Sequence, residues 1–523
     1  MQGHKQFIDK VVLRFQLSER VPKRNLYRRL AELLDWGFLY EQTQDLYSHT
    51  GQPSLDPVVF FKLMLVSRLE NLVSDRRLVE HCALRLDILY FLGYEVDEDL
   101  PWHSTISRTR QLYPTSVFEH LFDHVFAQCV ARGLVAGDTQ VVDSAPVKAN
   151  ASLRAVCEKQ SAGATGPVRV VEESAAKLPD ASLVTAPAHQ LRQLATAQAR
   201  RLRAPLGHVG AQHEKARLLS NKTHYCPTDP DARISVKTGK ARALNYLCSL
   251  AVDTAHGVIS HVQADFADSR DSQHLPRLLT GLQQRLRSNE LRLRELLADA
   301  GYANGPNYAL LEAQHITAWI PVFGQYKADV VGFPYDVQTD SYQCPAGKRL
   351  LFKKVDTTAD GSWVKLYRAT YQECRHCPLK PTCIPKGTYK QLTRTIYGGP
   401  YRRAWQRQQR RRGQRMRQVR QSTVEPVFGS LTQYYGLRRT NVRGQAGAHK
   451  TMLLAAVAFN LKKLLNHRST KQVVAAVALP KPLQAVNRRP WPRNKRPHVP
   501  ARALEKQLGS VNSGYYLGSW RIC

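Results

Sequence analysis

The chain has 523 residues, with 76 Lys and Arg against 42 Asp and Glu, a formal net charge of +34. That length exceeds one ordinary core, and 43% apolar with 8% aromatic residues excludes a wholly disordered or collagen-like chain. A charge this positive repels itself unless a polyanion is bound, and the commonest soluble polyanion is nucleic acid. Met1 to Lys10 carries Lys5, Asp9 and Lys10 around no apolar segment, unlike a secretory signal, and no stretch approaches the roughly 18 apolar residues of a membrane helix. A cytoplasmic protein with no membrane partner is expected, and its ten cysteines are too sparse for a disulfide scaffold.

Residues 1–135 read as an all-helical region. Pro57 to Val66 opens an amphipathic segment, and Leu78, Cys82, Leu86 and Leu89 continue the apolar spacing at three and four. After an acidic turn from Glu95 to Asp99, Ser104 or Thr105 can cap a short helix that carries Arg108 and Arg110. Helix, turn and basic helix make a candidate DNA-reading arrangement, an outline shared by many plain helical bundles. Thr139 to Ser144 is a β-branched run that ends in a carboxylate and predicts a strand. Residues 150–220, rich in Ala, Gln and Arg, read as an insertion, partly helical and partly loose. Strands are predicted at 234–237, 243–252 and 257–262, separated by polar or Gly-containing turns as in an antiparallel meander. Leu275, Leu278, Leu279, Leu282 and Leu286 mark one helix face. A strand ending in Leu296-Leu297-Ala298-Asp299, a helix around Tyr308 to Ala313 and a strand from Ile316 to Val322 follow.

Three strands, a helix, a strand, a helix and a strand is the order of an RNase H-like α/β fold. Asp143 on the first strand and Asp299 at the end of the fourth stand at the edges of apolar strands, where a lone buried carboxylate is costly without a cation. Phosphodiester chemistry commonly uses two magnesium ions about 3.5–4 Å apart. Three converging carboxylates satisfy so hard an ion. The third acid is sought on a downstream helix, and Glu425, in Gln421-Ser422-Thr423-Val424-Glu425-Pro426-Val427-Phe428-Gly429, is the candidate. The same segment has a competing reading: Ser422 and Glu425 fit a capping box, with Pro426 in a helix's first turn.

Several segments resemble a family. Asp143-Ser144 with Lys148-Ala149-Asn150, Asp299-Ala300-Gly301-Tyr302, Glu425 to Gly429, Tyr435-Gly436-Leu437-Arg438-Arg439 and Ala455 to Leu465 look like the catalytic segments of bacterial insertion-sequence transposases of the Asp-Asp-Glu (DDE) class. His103 to Arg108 is similar to the end of that class's amino-terminal domain. The resemblance spans residues 50–465, looks closest to the group named after the insertion sequence eleven-eighty-two, and implies that Asp143, Asp299 and Glu425 form the catalytic triad, holding two magnesium or manganese ions. One departure stands out: Gln418, Gln421 and Thr432 occupy positions where related transposases place Tyr, Arg and Lys around the catalytic Glu.

Cys374, Cys377 and Cys383, with Cys344 ahead of them, have the composition of a tetrahedral zinc site and predict a small zinc-ribbon-like insertion joined by the β-like stretch 349–371. Unligated thiols are the alternative there, with an iron–sulfur cluster behind them. Residues 401–420 hold nine arginines and no acid, among them Arg410, Arg411, Arg412, Arg417 and Arg420, and so basic a helix suits a phosphate backbone. Arg438 and Arg439 are further candidates for phosphate contact. The tail 466–523 has eleven Lys or Arg, one acid and six prolines between Pro480 and Pro500, the composition of a disordered segment.

The expected organisation is a helical DNA-binding region at 1–135, a catalytic core at 136–330 and 391–465 interrupted by the cysteine insertion at 331–390, and the basic tail. The expected function is a DNA transposase that binds double-stranded element ends, cleaves them with metal ions and transfers the strand, working as a homodimer or larger assembly because two ends must meet. The alternative is a catalytically inactive, zinc-containing DNA-binding relic.

Overall fold

The computed structural model describes residues 15–47, 54–159, 220–221, 223–235, 242–322, 330–357 and 363–467. Ahead of the first strand the described residues form helices: α1 (Leu17–Arg20), α2 (Leu26–Leu33), α3 (Phe38–Thr43), α4 (Pro57–Leu69), α5 (Asp75–Ala83), α6 (Leu86–Leu92), α7 (His103–Leu112) and α8 (Thr115–Ala131). Helix α4 starts where it does because the Asp56 carboxylate accepts from the N–H groups of Val58 and Val59, at 2.7 and 3.0 Å, with Pro57 in the first turn. The apolar spacing from Leu78 to Leu89 is divided between two helices, because α5 ends at Ala83 and α6 begins only at Leu86. Helix α7 begins two to three residues earlier than a Ser104 or Thr105 cap predicts, with Trp102 in the extended conformation before it, so neither residue is its cap.

The central sheet is built around β1 (Thr139–Lys148), which runs well past the predicted end at Ser144. A short ladder of β2 (Cys157–Glu158) with β3 (His224–Tyr225) and the strand β4 (Arg233–Ser235) precede β5 (Ala243–Asp253) and β6 (Ile259–Phe266). β1 is antiparallel to β5 and parallel to β7 (Glu295–Leu297), which is parallel to β8 (Thr317–Trp319). The far edge of β5 carries both β4 and β6. Reading across the sheet gives β6, β5, β1, β7, β8, the order of an RNase H-like core. Helix α9 (Asp271–Arg287) follows the third long strand and buries all five predicted leucines, and α10 (Gly305–Ala313) connects β7 to β8. Most of the predicted insertion, residues 160–219, lies outside the described residues, as does the tail 468–523.

A second, all-antiparallel sheet follows: β9 (Tyr335–Asp336), β10 (Ser341–Gln343), β11 (Arg349–Thr357), β12 (Trp363–Arg368) and β13 (Gln391–Thr395), paired in chain order. Two short helices, α11 (Tyr371–Arg375) and α12 (Lys380–Cys383), lie between β12 and β13. Phe333, Tyr342, Leu350, Tyr367, Ala369 and Cys374 give this segment a core of its own, larger than two knuckles on a hairpin. The chain then forms α13 (Gly398–Gln409), α14 (Arg411–Tyr434) and α15 (Gln445–Asn466).

Helix α15 is buried along most of its length and packs on β6, α8 and α4. Asn460 shows why that segment carries an amide among alanines and leucines. Its side chain donates to the carbonyl of Ile259 at 2.8 Å and accepts from the same residue's N–H at 2.9 Å, satisfying both groups at the start of β6. Lys450 donates to the carbonyls of Arg110 and Tyr113, and Arg285 of α9 pairs with Glu119 and Asp123 of α8. The amino-terminal helices and the central sheet therefore share one continuous hydrophobic core.

Candidate active site

Asp143 lies in the interior of β1, opposite Leu250 of β5. The β1–β7 register pairs Val141 with Leu297, the last pair of that ladder; Asp143 lies two residues further along β1 and Asp299 two residues past the end of β7, so both acids stand near the same end of neighbouring parallel strands. Asp299 caps the 3-10 turn Ala300–Tyr302, its Oδ1 accepting the Gly301 N–H at 2.9 Å. A Cβ on Gly301 would stand 3.0 Å from Asp299 Oδ1 and 3.2 Å from Asp271 Oδ2, which explains the glycine and reveals a further carboxylate beside Asp299. Asp271 went unnoticed in the sequence because an acid in the first turn of a helix ordinarily complements the helix dipole.

Glu425 sits in the middle of α14. The capping-box reading is overturned: the helix runs unbroken from Arg411 to Tyr434, Pro426 is in its interior, and Ser422 Oγ donates to the Val419 carbonyl at 3.2 Å. Val424, Val427 and Leu431 bury one face of this helix, while the Glu425 side chain remains 60% exposed. The Arg420 guanidinium lies between two of the proposed triad members, Nη1 at 3.0 Å from Asp143 Oδ2 and Nη2 at 3.5 Å from Glu425 Oε1. Among the described residues no three His, Cys, Asp or Glu side chains stand close enough together to hold a metal ion. The donor set nevertheless fits a hard divalent cation, since it is carboxylate oxygen throughout and already encloses one positive charge.

Behind these acids runs a buried hydroxyl chain. The Tyr302 and Ser144 hydroxyls are 2.5 Å apart, Ser144 Oγ is 2.8 Å from Ser249 Oγ, and Ser249 donates to Asp265 Oδ2 at 2.7 Å. Ser249 has only one proton, so Ser144 donates to Ser249 and Tyr302 donates to Ser144. Burial, joined by the charges of Asp271, Asp143 and Asp299, pushes the Tyr302 phenol well above its ordinary range, so it stays protonated as this direction requires. Tyr302 and Ser144, which belong to the same family-like segments as Asp299 and Asp143, thus tie the turn after β7 to β1.

The arginine tract divides by use. Arg403 forks onto Glu312 at 2.9 and 2.6 Å, Arg412 pairs with Glu295, and Arg407 donates to the Ala318 carbonyl, fastening α13 and α14 to the core. Arg410, Arg411 and Arg417 are exposed. Arg438 and Arg439 are also exposed, held at the end of β1 because the Lys148 N–H donates to the Arg438 carbonyl and the Thr440 N–H to the Lys148 carbonyl. Of the two arginines on α7, Arg108 is exposed, whereas Arg110 is turned inward onto Asp75 at 2.9 and 2.6 Å with 11% of its side chain accessible.

In the second sheet, Cys344, Cys374, Cys377 and Cys383 line one small cavity of about 40 Å³. The Lys348 N–H points at Cys344 Sγ at 3.3 Å, across a turn that places Gly347 at φ +74°.

Two family models match the chain: "Transposase domain (DUF772)" over residues 15–112, the stretch from α1 to α7, and "Transposase DDE domain" over residues 343–465, from β10 to α15. No curated protein matches it. No helix among the described residues is long and apolar enough to cross a membrane. Enzymes of the DDE class generally use divalent metal ions such as magnesium, and the matches speak for the enzyme rather than for an inactive relic. The RNase H-like sheet, with Asp143 on β1, Asp299 just past the end of neighbouring β7 and Glu425 on the helix within the DDE match, agrees with them, and together the two matches support an insertion-sequence DDE transposase.

Proposed function

We propose that Asp143, Asp299 and Glu425 are the catalytic triad and that they hold two magnesium or manganese ions. The observation that carries this is that Asp143 and Asp299 each lie two residues past the last pair of the β1–β7 ladder, Val141 with Leu297, with Glu425 joined to Asp143 through Arg420. Bound magnesium would polarise the scissile phosphate and lower the pKa of the attacking hydroxyl. The chain's own residues place the DNA. Exposed Arg410, Arg411 and Arg417 on α14, with Arg438 and Arg439 at the end of β1, offer a basic surround for a duplex phosphate backbone, and Arg108 extends it to α7. Arg110 serves the fold instead, through its pairing with Asp75.

The reaction is hydrolysis of a strand at the element's end, followed by attack of the freed 3′-hydroxyl on target DNA. Both steps are in-line displacements at phosphorus, so the same acids serve both. A homodimer or larger assembly joins two ends, and the reaction takes place in the cytoplasm, where bacterial DNA lies. Substituting Asp143→Asn, Asp299→Asn or Glu425→Gln should each abolish magnesium-dependent cleavage of end-containing duplex. Unchanged cleavage in any of the three removes that residue from the triad.

We further propose that Cys344, Cys374, Cys377 and Cys383 bind structural zinc. What supports this is that all four line one cavity and that a backbone N–H is directed at Cys344 Sγ, a contact that stabilises a thiolate; zinc would have to draw together thiols of which no three, among the described residues, stand at ligating distance. Elemental analysis of purified protein should find one zinc per chain, lost in the Cys374→Ser variant. A zinc-free wild type would refute the assignment.

A further inference from the structure

Arg420 occupies an unusual place. Asp143 Oδ1 accepts the Ser144 N–H at 2.8 Å, and Oδ2 accepts from Arg420 Nη1 at 3.0 Å. The other arm of the same guanidinium reaches Glu425. Only 15% of the Arg420 side chain and 19% of Asp143 are exposed, so the pair is partly withdrawn from water. An arginine is charged at any working pH, so it cannot make way for another cation by losing a proton. It has to move. A divalent ion bridging Asp143 and Glu425 would compete for the same lone pairs.

We propose that Arg420 is an exchangeable cation: in the metal-free protein it holds Asp143 and Glu425 together, and a divalent ion loads between them only by displacing it. This rests on the reading of Asp143 and Glu425 as metal ligands. The arrangement offsets one of the two negative charges of carboxylates that would otherwise repel each other, and it keeps α14 registered against β1 until metal arrives. The displaced guanidinium remains on the helix that carries exposed Arg417, a fork suited to a DNA phosphate. Arg420 is thus a positioning residue whose partner changes when metal binds.

The test is manganese titration of the metal-free, full-length protein by calorimetry in the absence of DNA. Arg420→Gln removes the competing charge and should tighten manganese binding about tenfold, the equivalent of about 1.4 kcal/mol. Arg420→Lys keeps the charge but not the fork, and should fall between the two. Asp143→Asn and Glu425→Gln should each weaken binding, and thermal unfolding confirms that every variant is folded. If those two carboxamides lose manganese while Arg420→Gln and Arg420→Lys bind it no more tightly than wild type, the exchange is refuted and the triad stands. If the carboxamides bind like wild type, the triad assignment falls and the exchange with it.

Discussion

Gly301→Ala isolates the geometry of the acids from their identity. The new methyl carbon would land 3.0 Å from Asp299 Oδ1 and 3.2 Å from Asp271 Oδ2, so at least one carboxylate must retreat by a few tenths of an ångström. Gly301 has no left-handed backbone angle to lose. Alanine removes about 0.4–1 kcal/mol of unfolded-chain entropy, which offsets a contact strain of similar size, so net stability should move by less than about 1 kcal/mol. Chemistry is less forgiving: a 1 Å misplacement costs about a hundredfold, and a shift of a few tenths should cost several-fold to about tenfold. The assay is single-turnover, magnesium-dependent nicking of a duplex carrying the element's end, beside urea unfolding of the same preparation. Slower nicking at unchanged stability is expected. Nicking at the wild-type rate would show that Asp299 does not need the position this turn gives it, and a parallel fall in both measurements would make Gly301 a folding residue only.

Asn460→Ala strands a buried N–H and a buried carbonyl of Ile259, each costing about 1–3 kcal/mol. The unfolding free energy should fall accordingly, by about 2–6 kcal/mol in total, with a lower urea midpoint, and an unchanged midpoint would mean that water takes both groups. Burial, then the charges of Arg285 and His449, hold His261 well below its ordinary range. The unfolded chain therefore binds a proton there that the folded chain refuses, so stability is full above about pH 6.5 and declines below it. His261→Gln should flatten that decline by up to about 1.4 kcal/mol per pH unit in urea titrations at a series of pH values; an unaltered slope would assign the decline to other groups. Arg411→Gln and Arg417→Gln should each reduce the slope of log affinity against log salt for duplex DNA by about 0.9, whereas Arg403→Gln, already forked onto Glu312, should leave it unchanged. Equal effects at all three positions would dissolve the division of the tract.

The sheet was legible because its strands carry period-two or continuous apolar runs, and the leucines of α9 recur at helical spacing; both patterns survive in the fold. Boundaries were less legible where tertiary contacts decide them. β1 runs on to Lys148 because β5 pairs with it that far, past a Pro146 that would ordinarily end a strand. The Glu425 segment contained a convincing local signal for a helix start, but packing of Val424, Val427 and Leu431 made it a helix middle. Arg420 with Asp143 and the Tyr302–Ser144–Ser249 chain bring together segments more than a hundred residues apart, and Asp271 meets a turn thirty residues on; no local pattern encodes such meetings. Arg110 shows the reverse: a basic helix position looks solvent-facing until Asp75 is found beside it.

Helix α15 is the last described element in the chain, yet its apolar residues complete a core that α4 and α8 begin. On the ribosome, α8 is finished at residue 131 and α15 does not start until residue 445. At about 5–20 residues per second, that interval lasts roughly 15–60 s. For that time the apolar faces of the first helices have no permanent cover, and a chain released early never acquires one. Truncated products should therefore be prey to proteases rather than persist as DNA-binding fragments that occupy element ends without cutting them. Completion of synthesis and completion of the core thus become nearly the same event.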